Sequence, residues 1–505
     1  MPPIVPPEIL HFFRGPRPRT LTVRGNPGAG KTSFALAVLT AFPGLRAFVS
    51  TTVERASLLL EFPWLSDPLL PRVELVEFLR FRSPEVDSSL DVSQMRAALQ
   101  ARASDLVDVS SVLSLPSALH QLLSAHPTDP KMVVIDSWEA WMGNLLGPTP
   151  LSVDVPTTRW ELERAILGQV LRTGAHVLMV AERSEPSRFD YVADGVVTLS
   201  ATELEERQER WISLLKLRGT EVESPSYPFT LEGARFRCLV PQRPPVGPFR
   251  LGDEPDPTPT DPALWPGASA FAQWFGRIPA LGYVLVETDS ETPILSLWRL
   301  AAPAILSALR SGARVLVRPP GNLTAPGLRE NFVPALPSVE SLDRLGVVVP
   351  TPPSADSDGF ALARMNPNGE FVPWSAGSAL ATDSLGRRSV LEFLGGSPGT
   401  VPRNLVVVFP DPEVDLSQEA PRGDPVLGVP AEARREGSRF GALFVMHSDD
   451  PHIEQMRVRS AVHIVARTRR GQLFLFGVRP WTPLLVPIPV TAAPGAPPYG
   501  FVPVV

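Results

Sequence analysis

The stretch Gly25-Asn26-Pro27-Gly28-Ala29-Gly30-Lys31-Thr32 decides how the rest of this chain is read. It fits the spacing GxxxxGK[ST], and each part of that spacing has a physical use. The glycines let backbone N–H groups turn inward as a nest for an anion. The helix that begins at the end of the loop turns the positive end of its dipole to the same place. Lys31 reaches the β- and γ-phosphates of a nucleoside triphosphate, and the Thr32 hydroxyl offers a ligand to Mg²⁺. A strand precedes the loop and an apolar helix from Ser33 to Phe42 follows it. ATP with Mg²⁺ is therefore the expected ligand, held by Gly25, Asn26, Pro27, Gly28, Ala29, Gly30, Lys31, Thr32 and Ser33.

Around the loop, apolar strands alternate with helices. Leu45–Ser50, Met132–Asp136, His176–Glu182 and Asp194–Ser200 read as strands. Ser117–Ala125 and Trp160–Gly174 read as helices, with another between Ser83 and Asp108. This alternation predicts an α/β fold with a mainly parallel sheet flanked by helices. Arg210–Arg218 follows a short turn, so the end of the sheet is expected to be antiparallel. Pro241–Pro266 is rich in proline and acidic residues and breaks the pattern. The rhythm then resumes with strands at Gly282–Glu287, Ala313–Arg318, Asn404–Phe409, Gly441–Met446, Ser460–Arg469 and Gly471–Arg479. A chain of 505 residues suits two domains of roughly 200–250 residues each. The expected division is a lead-in at 1–18, an ATP-binding domain at 19–240, a Pro-rich linker at 241–266 and a second domain at 267–505.

Composition narrows the class. The single cysteine, Cys238, excludes a disulfide framework and a cysteine-based zinc site within one chain, and suits a reducing cytoplasm. No apolar run reaches the roughly 18 residues of a spanning helix, and the N-terminus does not read as a signal peptide. A net charge of −6 gives no global pull toward nucleic acid. Of 47 basic residues only three are lysine: Lys31, Lys131 and Lys216. Where a solvated charge suffices this sequence uses arginine, so a lysine flags a site that wants a compact ammonium. Lys131 merely precedes a strand and reads as solvated.

A phosphate loop needs an acid at the end of a buried strand. Met132-Val-Val-Ile-Asp136 supplies it, and Asp136 is expected to hold Mg²⁺ through water. Trp138 and Trp141 follow at helical spacing and read as packing residues.

At this point the residues resemble the RecA-like ATPases of the KaiC/RadA branch. The phosphate loop, the Asp136-Ser137 pair and Tyr191-Val-Ala-Asp-Gly-Val-Val-Thr-Leu199 follow one another as that family's motifs do. So does Arg210-Trp-Ile-Ser-Leu-Leu-Lys216-Leu-Arg218-Gly219, followed by Pro228-Phe229 and Gly233. The resemblance spans residues 17–240. It implies that Lys216 and Arg218 are fingers reaching the γ-phosphate of a neighbouring subunit, since a partner's positive charge stabilises transferring phosphate. It thereby implies a homo-oligomer, a ring or filament, of which a hexamer is one form. The family usually carries paired glutamates after its second strand, one of which activates water. Here Thr52 and Val53 take those places, and Glu54 is one residue late and serves as a catalytic base only if the loop shifts. Carboxylate placement tolerates little error, so ATP binding with slow or absent hydrolysis is expected. Glu182 is either a sensor of the γ-phosphate or a solvated loop acid.

The second half resembles a degenerate RecA-like copy. Where a phosphate loop should follow its first strand stands Glu287-Thr-Asp289-Ser-Glu291-Thr-Pro293, without glycine or lysine. Its carboxylates repel phosphate and read as a solvated acidic turn. This half is expected to support assembly or a protein partner. Three functional readings follow: a nucleotide-dependent assembly or regulatory ATPase, an active DNA-repair or motor ATPase, and a regulator resembling gas-vesicle P-loop proteins. DNA is not an expected partner, because Gly143–Thr158 has no Lys or Arg and no basic groove with stacking aromatics is legible.

Overall fold

The computed structural model describes residues 4–15, 17–77, 117–126, 129–146, 163–164, 167–187, 189–240, 273–276, 282–310, 312–320, 343–350, 360–365, 371–373, 393, 403–409, 439–489 and 499–505. The expected helix within Ser83–Asp108, the first residues of Trp160–Gly174 and the linker 241–266 lie outside them. The chain forms two compact units, Met1–Val240 with Val504–Val505, and Pro241–Pro503.

In the first unit the chain runs α1 (Pro7–Phe13), β1 (Thr20–Gly25), α2 (Lys31–Ala41), β2 (Leu45–Ser50), α3 (Arg55–Glu61), β3 (Glu74–Glu77), α4 (Ser117–Ala125) and β4 (Lys131–Asp136). It continues through α5 (Trp138–Leu146), β5 (Ala175–Val180), α6 (Phe189–Val192), β6 (Gly195–Leu204), β7 (Arg207–Leu217), β8 (Ser226–Thr230) and β9 (Arg237–Cys238). The nine strands form one sheet in the order β3-β2-β4-β5-β1-β6-β7-β8-β9. From β3 to β6 every pairing is parallel, and from β6 to β9 every pairing is antiparallel. Strand residues alternate between two cores, as a pleated strand covered on both faces requires. Met132 and Val134 join Phe12, Phe34 and Leu36 on the α1–α2 side. Val133 and Ile135 join Leu119, Trp138 and Trp141 on the α4–α5 side. Lys131 corrects the expectation of a solvated charge. It belongs to β4, is buried, and donates its ammonium to the Thr173 carbonyl at 2.9 Å.

The second unit contains β10 (Tyr283–Thr288), α7 (Ile294–Arg310), β11 (Arg314–Arg318), β12 (Leu345–Pro350), β13 (Phe360–Met365), β14 (Phe371–Pro373) and β15 (Arg403–Val408). Then follow β16 (Arg439–His447), α8 (Ile453–Arg459), β17 (Val462–Arg469), β18 (Gln472–Arg479), β19 (Leu484–Pro489) and β20 (Tyr499–Val504). Its strand order is β14-β13-β12-β11-β15-β16-β10-β17-β18-β19-β20. Without the β13–β14 hairpin at its edge, this is the order of the first sheet. Even the irregularities recur. The β6–β7 ladder shifts register after Val196↔Lys216, and the β17–β18 ladder shifts after His463↔Arg479.

Aligning the two ladders places Arg24 opposite Glu287 and Asp190 opposite Arg457. In the first unit Arg24 lies 3.0 Å from Asp190, near it without hydrogen-bond alignment. In the second, Arg457 donates to both Glu287 oxygens at 2.9 and 2.7 Å, and the His463 ring lies at 3.0 Å. The same strand-to-helix tie is thus made with reversed charges. Glu287 was expected in a solvated acidic turn, but it is buried. Burial opposes its ionisation, yet the bonds from His463 and Arg457 prevail and hold its carboxyl down to about 2.

A depressed carboxyl pKa contributes stability above the unfolded value of about 4.3, and that stability is lost as pH falls toward the folded value. Glu287→Gln should therefore destabilise the second unit by roughly 3 kcal/mol at pH 7, because it removes the buried carboxylate that His463 and Arg457 hold ionised. The deficit should shrink between pH 4 and pH 2, as read by urea unfolding across that range.

Candidate functional site: a phosphate-binding loop

Strand β1 lies between β5 and β6 in the first sheet, and the chain leaves it through the glycine loop into α2. Two positions of the loop require glycine. Gly30, at φ 90°, is the N-cap of α2, and a Cβ there would lie 2.9 Å from Leu231 Cδ1. Gly25, at φ 151°, would place a Cβ 2.3 Å from the Leu199 carbonyl oxygen. A loop of such conformations can turn its amides toward one anion, together with the first N–H groups of α2, which have no partner within the helix.

Lys31 folds back over the loop, donating to the carbonyls of Gly25 at 2.5 Å and Asn26 at 3.2 Å. Burial pushes its pKa below the ordinary lysine value, opposed by the charges of Asp136, Glu139 and Glu182. The Thr32 hydroxyl donates to Asp136 Oδ2 at 2.7 Å. Two groups far apart in sequence thus meet beside the loop. Burial raises the Asp136 pKa, with the Thr32 hydroxyl and Lys31 pulling the other way. Behind Asp136, the Thr51 hydroxyl donates to its carbonyl at 2.9 Å, and Ser137 Oγ donates to Glu182 Oε1 at 2.5 Å. The Glu182 amide in turn donates to Glu139 Oε2 at 2.9 Å. Glu182 is thereby tied into the acidic wall of the site through Ser137. Glu139, which sequence reasoning passed over, belongs to the same wall and was signalled only by its position three residues after Asp136.

In the sequence Arg210 stands out only as the first residue of a family-like motif. It is buried on β7 and donates to the Gly28 carbonyl at 3.1 Å and to Gln208 Oε1 at 2.9 Å. Burial lowers its pKa. Nothing in its own sequence neighbourhood announces that it reaches the loop.

Lys216 and Arg218, which the resemblance implies to be fingers, lie at the other end of β7. Lys216 donates to the carbonyls of Asp190, Tyr191 and Ala193 at 2.9, 3.2 and 2.7 Å, capping α6. Arg218 is exposed and donates to the Tyr191 carbonyl at 3.2 Å. Desolvation, then the charge of Arg218, lowers the Lys216 pKa. Both line a groove of about 390 Å³ with Arg24, Asp190, Tyr191 and Leu215. Glu54 stands apart from these groups as the exposed N-cap of α3, making no side-chain cap bond.

The second unit keeps the loop length and loses the chemistry. Five residues separate Gly25 from Lys31, and five separate Thr288 from Ile294. Pro293 stands at the place of Gly30, and proline cannot take a positive φ. Ile294 and Leu295 replace Lys31 and Thr32. On the ladders Phe409, fully buried, falls at the place of Asp136.

A raised folded-state pKa means that the native state holds its proton more tightly than the unfolded chain. Stability is then fully present below about pH 4, the unfolded aspartate value, and is lost as pH rises through the folded pKa. Asp136→Asn keeps an acceptor for Thr32 and removes the buried charge. It should raise the melting temperature of the nucleotide-free chain at pH 7 and leave it nearly unchanged in acid, as measured by calorimetry.

Comparison with known proteins agrees with this geometry. A family model described as the GvpD gas vesicle protein, P-loop domain, matches residues 9–217. The Halobacterium salinarum protein GvpD2 is 29% identical over 244 residues, which cover 47% of this chain and 44% of the relative. GvpD1 of the same organism is 28% identical over 243 residues, covering 47% and 41%. The match thus spans under half the length of these relatives. A crystal structure of a KaiC-like protein from Pyrococcus horikoshii matches with 16% identity and a TM-score of 0.32, over 47% of this chain and 98% of that one. Residues 9–217 are similar to the P-loop domain of the GvpD gas vesicle proteins.

Proposed function

We propose that this chain is an ATP-binding regulatory switch, in which Mg-ATP at residues 25–33 drives association with further copies and is hydrolysed slowly or not at all. One observation carries the reading. The Thr32 hydroxyl and Asp136 carboxylate meet at 2.7 Å beside a glycine loop of left-handed backbone, with Lys31 resting on loop carbonyls rather than paired with an acid. The loop amides and Lys31 would hold the phosphates, and Thr32 and Asp136 would hold Mg²⁺. Bound there, the ion would neutralise charge on the β- and γ-phosphates.

Slow turnover is supported by Thr52 and Val53 at the places of the water-activating pair, with Glu54 exposed and turned to a helix start. Association is supported by Lys216 and Arg218, two cations beside the exposed apolar residues Tyr191 and Leu215. The match at residues 9–217 favours a regulator of the gas-vesicle kind over a DNA-repair ATPase. A reducing, cytoplasmic setting suits the buried thiol of Cys238.

Lys31→Ala should weaken Mg-ATP binding about tenfold to a hundredfold by titration calorimetry, the worth of one or two charge-assisted hydrogen bonds. Unchanged affinity would remove the loop from the binding site. Lys216→Ala should leave ATP affinity nearly intact but abolish the increase in mass that Mg-ATP causes in light scattering. A chain whose mass ignores Mg-ATP would end the switch reading, and DNA-stimulated turnover would return the repair reading to first place.

A further inference from the structure

The two units share more than strand order: they expose large apolar side chains at the same places. Tyr191 and Val458 each lie four residues before the strand that pairs beside β1 or β10, and are 80% and 78% exposed. Leu215 and Val478 each occupy the register shift of the following ladder, 57% and 46% exposed. Next to them, Lys216 caps the Ala193 carbonyl and Arg479 caps the Ser460 carbonyl at 2.8 Å. Two residues on, where the first unit has Arg218, the second has Trp481, 64% exposed. The buried tie beneath this edge has reversed its charges between the units, so inheritance of the interior does not explain the likeness. Apolar side chains held in water at equivalent places point to a contact outside each unit.

The occupant follows from charge. In the first unit the cations of this edge would face a loop, Asn26–Gly30, that has no charge of its own and acquires one only with nucleotide. The equivalent loop of the second unit carries Asp289 and Glu291, and Glu291 is exposed. Asp289 is held by the Thr292 hydroxyl at 2.6 Å. We infer that the Val458–Val478–Trp481 edge of one copy, with Arg479, docks on the Thr288–Pro293 loop of another copy, whose carboxylates stand in for the missing phosphates. This contact rests on the association through Lys216 and Arg218 proposed above for the first unit, and adds that the second unit makes an equivalent one without nucleotide. The second unit would hold a few copies together without nucleotide, and the first would extend that assembly, and so raise its mass, when Mg-ATP binds.

The test is light scattering of the full, nucleotide-free chain. The wild type should be assembled, and Trp481→Glu and Glu291→Arg should each be monomeric. An equimolar mixture of the two variants should give dimers, because one intact edge then meets one intact loop. Val458→Glu, on the surface of α8, reports on the same edge should Trp481→Glu fail to fold. A monomeric wild type without nucleotide, a variant that keeps the wild-type mass, or a mixture without dimers would overturn the inference. A wild type that is monomeric alone but assembles with Mg-ATP would sink this inference and leave the proposed switch standing. A wild type that ignores Mg-ATP while the variants behave as expected would do the reverse.

Discussion

Everything at the candidate site depends on one backbone constraint. The chain must leave β1 and enter α2 through glycines at positive φ, with Gly30 pressed against Leu231 and Gly25 against the Leu199 carbonyl. Only that path presents amides to an anion and starts α2 with Lys31 and Thr32 in its first turn. β1 can hold the loop still because parallel neighbours flank it on both sides, with β5 bringing Glu182 and β4, one strand further, bringing Asp136.

The second unit shows what remains when that constraint is lifted. Its sheet keeps the strand order and its loop keeps the length, yet Pro293 forbids the left-handed turn and Phe409 fills the place of the acid. Two buried aromatics, Phe409 and Trp298, meet at 5.4 Å between α7 and the end of β15, so this unit has packed apolar surface where the first keeps the Asp136 carboxylate. The charge reversal from Arg24–Asp190 to Glu287–Arg457 is the same lesson in electrostatics. The fold keeps a pair of opposite charges between strand and helix and is indifferent to its sense, because a buried charge left without a partner costs far more than a paired one.

β7 connects distant parts of the first unit. Arg210 at one end holds the Gly28 carbonyl, and Lys216 and Arg218 at the other end form the outward edge. Arg210 and Lys216 lie on one strand, so the loop and the outward edge are joined through it.

The sequence by itself determined the phosphate loop, Asp136, the strand–helix rhythm and the doubling of the chain. Those features are local: glycine, lysine and apolar alternation act through neighbouring residues, and their spacing is printed in the chain. Short strands such as Glu74–Glu77 and Phe371–Pro373 escaped, since three or four residues carry too little periodicity. Only the tertiary structure decided which charges are buried. Lys131 and Glu287 look solvated in sequence, and both are enclosed by partners brought from 42 and 170 residues away. Burial is a property of what packs alongside, and long-range packing leaves no mark on the residue that it covers. The same holds for Arg210, whose reach to the loop spans 182 residues and exists only once β7 has paired into the sheet.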